Sequence, residues 1–105
     1  MTVTIVENSL WAKIAAWKMK ADRVAMVIGT KIHLHHVSKE EFLRNKKWVR
    51  HEVVHVHQWQ RLGKIRFAFF YLLESFNKGY HYNRFEVEAR LKENDSTVMN
   101  GIEIV

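Results

Sequence analysis

The stretch Trp48-Val49-Arg50-His51-Glu52-Val53-Val54-His55-Val56-His57-Gln58-Trp59 decides how the rest of the chain is read. Within it, His51 and His55 stand four apart with Glu52 between them, an H-E-x-x-H pattern. On an α-helix residues so spaced lie on one face, one turn above each other. Two imidazoles in that arrangement can fill two positions of a tetrahedral metal site. The adjacent carboxylate can reach a water bound to the metal and act as its general base. The chemistry requires a helix here and a third ligand from elsewhere in the chain.

A helix is consistent with the pattern. Stepping 100° per residue from Arg50, His51 falls at about 100°, His55 at about 140° and Glu52 at about 200°. Arg50, His57 and Arg61 gather within about 20° of the origin as a narrow polar stripe, and Val53 and Val56 fill much of the remaining arc. His57 lies about 160° from His55 and cannot share a metal with it in a regular helix. The alternative is a buried helix that happens to carry three histidines.

The flanking residues punctuate this helix. Ser38-Lys39-Glu40-Glu41 is an S-x-x-E capping box that starts a short helix. That helix is expected to end or bend near Asn45-Lys46-Lys47, with the motif helix running on to Leu62 and Gly63 as its stop. Upstream, Val24 to Val37 is rich in β-branched residues and alternates from Lys31 onward. It predicts one or two strands broken near Gly29 and paired antiparallel. His33 and His35 share one face of such a strand and His36 the other, so these histidines read as structural or surface groups. Residues 9–23 predict a first helix capped by Ser9, with Leu10, Trp11, Ile14, Ala15 and Trp17 as a broad apolar face.

Downstream, the run from Phe67 to Leu73 is apolar on every side. This suits a central helix packed by several neighbours and is too short to span a membrane. Asn77-Lys78-Gly79 then breaks the pattern, and Asn83 and Glu86 form an N-x-x-E start signal. This last helix can supply the third ligand. Glu86 and Glu88 lie about 160° apart around it, so only one of them can face the motif.

Composition bounds the rest. The chain has 105 residues, enough for one domain with a modest core, with 48% hydrophobic and 27% charged residues. It has no cysteine, so a transition metal would have to be held by histidine and carboxylate. The net charge of +6 is scattered, and no nucleic-acid-binding motif organises it, so nucleic acid is not the expected partner. The N-terminal residues lack the pattern of a signal peptide and no segment is long enough to span a bilayer, which points to a cytoplasmic setting.

His51-Glu52-Val53-Val54-His55-Val56-His57-Gln58-Trp59, followed by Gly79-Tyr80-x-x-Asn83-x-Phe85-Glu86-x-Glu88-Ala89, resembles the gluzincin metallopeptidases. The likeness is strongest to the small single-domain minigluzincins, whose fold is similar to the catalytic core of the Ste24-type membrane metallopeptidases. It covers roughly residues 24–92. The resemblance implies zinc held by His51, His55 and Glu86, with Glu52 as general base, and it selects Glu86 over Glu88 through the E-x-x-A segment. Two features depart from the family pattern. Many gluzincins have an acidic residue four after the ligand glutamate to orient a histidine, where this chain has Arg90. The oxyanion donor is sought in the Tyr80-His81-Tyr82 cluster, and His81 and Tyr82 are the candidate substrate or oxyanion contacts.

Together these readings predict a single mainly helical α+β domain over residues 1–105, with a two- or three-stranded antiparallel sheet and an H-E-x-x-H active-site helix. Residues 1–23 form an N-terminal helix region. Residues 96–105 form a tail that either adds a strand or lies in the cleft as an inhibitory pseudo-substrate. The expected function is zinc-dependent hydrolysis of a peptide or protein substrate, in an active or latent form. A strand around Ile32–Val37, if it is an edge strand, would align the substrate. The alternative is a non-catalytic, basic helical module that binds metal or nucleic acid and whose histidines are structural.

Overall fold

Alternation of apolar and polar residues builds the sheet, and the helices close over its two faces. A computed structural model describes residues 1–105. In chain order, β1 is Thr2–Val6, α1 Leu10–Met19, β2 Val24–Ile28 and β3 Lys31–His35. There follow α2 Lys39–Arg44, α3 Lys46–Leu62, α4 Lys64–Tyr82, α5 Arg84–Lys92, a 3₁₀ turn at Ser96–Met99 and β4 Glu103–Ile104.

The sheet has four strands in the order β2-β3-β1-β4. β2 and β3 form the expected antiparallel hairpin, with Val27 opposite Ile32. Gly29 takes φ 65° at its turn while Thr30 stays out of the positive region, the pattern of a type II′ hairpin. The sheet is nevertheless mixed and not purely antiparallel, because β1 runs parallel to both β3 and β4. Such pairings join segments far apart in sequence, with Ile5 set against Ile32 and Val3 against Ile104. β3 is therefore an interior strand, and the two edges belong to β2 and to the short β4.

One sheet face, with Val27, Ile32 and Leu34, packs on Val49, Val53 and Val56 of α3 and on Phe42 of α2. Val24 and Met26, which alternate with Val27, meet Ala12 and Ala16 of α1 instead. So α1 buries its alanines. The broad apolar face predicted for α1 is turned outward, with Leu10, Trp11, Ile14 and Trp17 exposed. Ser9 caps α1 by accepting from the Ala12 amide, and its hydroxyl donates to His33 Nδ1 at 2.7 Å.

α3 begins at Asn45, which accepts from the Trp48 amide, and ends where the Gly63 amide donates to the Trp59 carbonyl. The following helix corrects a second expectation. α4 is not a central core helix, since Phe67 is its only buried residue. At Gly79 the backbone turns to φ 77° and ψ 167°, a region essentially closed to other residues, and the chain kinks before Tyr80. α5 starts at the fully buried Asn83, whose oxygen accepts from the Phe85 amide. The Asn83 side-chain nitrogen donates to the Tyr71 carbonyl and to Ser75 Oγ, locking α5 against α4. The tail does not enter the cleft described below. It pairs as β4 on the sheet edge remote from β2. No helix is long and apolar enough to cross a membrane.

Candidate metal centre

Two helices bring the potential ligands together. α3 presents His51 and His55 one turn apart, and α5 crosses it to deliver Glu86. His51 Nε2 lies 3.1 Å from Glu86 Oε1, and His55 Nε2 lies 3.1 Å from Glu86 Oε2. One donor atom from each of the three residues falls within 4.8 Å of the others. Ligands on a tetrahedral zinc stand ~3.3 Å apart. The donor set of two imidazole nitrogens and one carboxylate oxygen therefore fits a metal ion.

The other ring nitrogens are fixed from behind. His51 Nδ1 donates to Glu93 Oε2 at 2.9 Å, and His55 Nδ1 donates to Gln58 Oε1 at 2.7 Å. Holding Nδ1 as the donor aims each Nε2 lone pair at the site and raises its basicity. Gln58 is fully buried and is itself held, its nitrogen donating to the Phe85 carbonyl and to Glu88 Oε1. Thus Glu88, on the side of α5 away from the ligands, supports His55 through Gln58. Arg61 and Lys92 in turn pair with Glu88. Tyr71 of α4 donates to Glu86 Oε2 at 2.6 Å.

The charges follow from this packing. Burial disfavours the charged form of His51, but bonding to Glu86, the charge of Glu52 and the bond to Glu93 outweigh it and raise its pKa to about 9. His55 is raised in the same way. Burial also works against ionisation of Glu86, yet both imidazoles hold it well below the usual carboxylate range. Glu52 is pushed up to about 7 by burial, which the two histidine charges only partly offset. Glu88 is held low despite partial burial, by Gln58, Lys92 and Arg61.

The group sits in a cleft of about 740 Å³ bordered by β2 and lined by His51, Glu52, His55 and Glu86. Trp48, Trp59 and Phe67 supply apolar walls. The Trp59 indole donates to the Val27 carbonyl and ties α3 to the sheet edge. Tyr71 and Tyr80 line the cleft, whereas His81 and Tyr82 are exposed and do not. His57 lies off the site, bonded to the Val98 carbonyl at 2.9 Å, and His33, His35 and His36 are remote from it.

Glu93, Gln58 and Tyr71 contribute to the site in roles that the sequence analysis did not assign, and Asn83, read there as a helix start, also ties α5 to α4. Two of them carry a readable signal. Gln58 follows His55 by three, so the two share a helix face. Glu93 follows Glu86 by seven, two turns along nearly the same line. It supplies the carboxylate that Arg90, at four, cannot; Arg90 donates instead to the His81 carbonyl. Tyr71, and the bonds from Asn83 to α4, carry no such signal, because the approach of α4 to α5 decides them.

Comparison of the chain with protein-family models, curated proteins and solved structures gives no match.

Proposed function

We propose that this chain is a zinc-dependent peptidase of the gluzincin type, with His51, His55 and Glu86 as ligands and Glu52 as general base. The observation that carries the reading is the convergence of two imidazoles and one carboxylate beside a buried glutamate, at the wall of a cleft bordered by a strand edge. Imidazole and carboxylate donors without a thiolate suit zinc, and three protein ligands leave a position open, as in catalytic sites. When bound, zinc polarises the scissile carbonyl and acidifies the attacking water.

The chain's own residues would do the remainder. Glu52 takes the proton from the attacking water and passes it to the leaving amine. Glu93 and Gln58 keep the two imidazoles in the ligating tautomer. Tyr71 spends its one hydroxyl proton on Glu86, so Tyr80 is the phenol of the cleft that can donate to an oxyanion, and burial together with Glu86 raises its pKa.

The edge strand β2, and not the interior β3, would align an extended substrate. Hairpin pairing directs alternate residues of β2 toward β3, which leaves Ala25 and Val27 facing outward. Trp59 already engages the Val27 carbonyl, so Ala25 offers the amide and carbonyl for a peptide backbone.

Zinc content and peptide turnover test the reading together. Wild-type protein should bind about one zinc per chain, and His55→Ala and Glu86→Ala should lose it. Glu52→Gln should keep the metal and abolish cleavage of a mixed peptide library. A wild type that takes up no zinc on reconstitution sinks the proposal. So does full turnover in Glu52→Gln. Zinc binding without turnover under any condition would leave a metal-binding module.

A further inference from the structure

α4 leaves a continuous apolar stripe uncovered. Ile65, Phe69, Leu72 and Phe76 follow at spacings of four, three and four, one face of a helix, and Ile65 and Phe76 are 87% and 89% exposed. α1 repeats the arrangement with Leu10, Trp11, Ile14 and Trp17. Met19 at the end of α1 and Leu72 on α4 are both exposed and both line the metal-centre cleft, so the two stripes reach the same rim. Contiguous apolar surface of this kind marks a docking face.

Charge decides what docks there. α1 contains Lys13 and Lys18 and no acidic residue. α4 begins with Lys64 and Arg66, which make no ion pair, and its single carboxylate, Glu74, is tucked between Lys78 and Arg84. A second copy of the chain would set α4's unpaired basic start against itself in parallel, and in antiparallel would offer it no free carboxylate from α4 or α1. That disfavours self-association. Aromatic and aliphatic side chains flanked by lysine and arginine match the interface of an anionic bilayer, where rings sit at headgroup level and cations meet lipid phosphates.

We propose that the exposed faces of α4 and α1 dock this protein onto an anionic membrane surface, with the cleft rim at the lipid interface. The helices lie on the surface and do not span it. The inference rests on the exposed side chains and their charges, and it stands apart from the peptidase reading.

Co-sedimentation with phosphatidylcholine vesicles, with and without phosphatidylglycerol, tests it. The wild type should pellet with the phosphatidylglycerol vesicles, bind phosphatidylcholine alone far less, and be released by salt. Ile65→Ser with Phe76→Ser should weaken binding by at least ~10-fold. Both side chains are exposed, so the thermal transition should stay unchanged and serve as the folding control. Lys64→Glu with Arg66→Glu should weaken binding to phosphatidylglycerol vesicles without altering the apolar stripe. No binding by the wild type, or equal binding by the Ile65/Phe76 variant, overturns the proposal. A concentration-dependent dimer that this variant abolishes, without vesicle binding, overturns it in favour of a second copy.

Discussion

Glu93 Oε2 accepts the Nδ1 proton of His51 at 2.9 Å, across 42 residues of sequence. The same carboxylate is paired with Lys47 at 3.3 Å, which holds it in place. Because His51 Nε2 points at Glu86, the orientation of one ligand depends on the residue just past the end of α5. Glu93→Ala should lower zinc affinity by ~10–100-fold, with unchanged far-ultraviolet circular dichroism. Glu93→Gln, which keeps an acceptor, should lose less. Competition against a chromogenic chelator measures both, and equal affinity in wild type and Glu93→Ala would remove Glu93 from the site.

Gln58 serves stability as well as orientation. Gln58→Leu leaves the buried His55 Nδ1–H without its acceptor and takes a donor from the Phe85 carbonyl and from Glu88. The cost should be about 2–4 kcal/mol, a drop of roughly 10 °C or more in Tm. Metal affinity should fall with it. A scanning calorimetry trace superimposable on the wild type would show that the buried amide is dispensable.

Metal binding should stabilise the fold by mass action, because the ligands converge only in the folded chain. At free zinc about 100-fold above Kd the gain is ~2.7 kcal/mol. Tm should rise with zinc and fall again on chelation. Glu86→Ala should show neither response, and a zinc-dependent Tm in that variant would point to donors other than this trio.

His33 gives a pH dependence away from the metal centre. Burial and the neighbouring charge of Lys31 lower its pKa from the ordinary value near 6.5. Neutral His33 receives the Ser9 hydroxyl that also caps α1. Between the lowered pKa and 6.5 the unfolded chain binds more protons than the folded one, so stability increases with pH in that window. The contribution is complete above 6.5 and is lost as pH falls through the folded value. Proton NMR of the His33 ring should titrate below the free imidazole. His33→Gln should flatten the acid side of the stability profile, and an unchanged slope in that variant would count against it.

What the sequence made legible was local. Ser38 and Asn45 cap their helices, Gly63 ends α3, and the Gly29 turn closes the hairpin, each through residues within a few positions of one another. Burial was less legible. The apolar run on α4 and the aromatic face of α1 have the composition of core, but the sheet faces were filled by the valines of α3 and the alanines of α1. β1 and β4 pair in parallel with distant strands, a choice made by tertiary packing and not by propensity. At the site, the helix geometry of His51 and His55 can be read from their spacing. Glu93 and Gln58 could have been found by extending the same helix arithmetic one turn further. Tyr71 could not, because nothing in its neighbourhood encodes the contact of α4 with α5.

His51 and Glu86 are separated by 35 residues, and the whole of α4 is the excursion between them. A metal held by this pair acts as a removable staple at the foot of a loop. Were the chain nicked within the exposed stripe of α4, the two ligand-bearing helices would still be joined through the ion, by a link that a chelator opens and a disulfide reductant does not. In a chain without cysteine, a bound metal would take the part of a reversible crosslink.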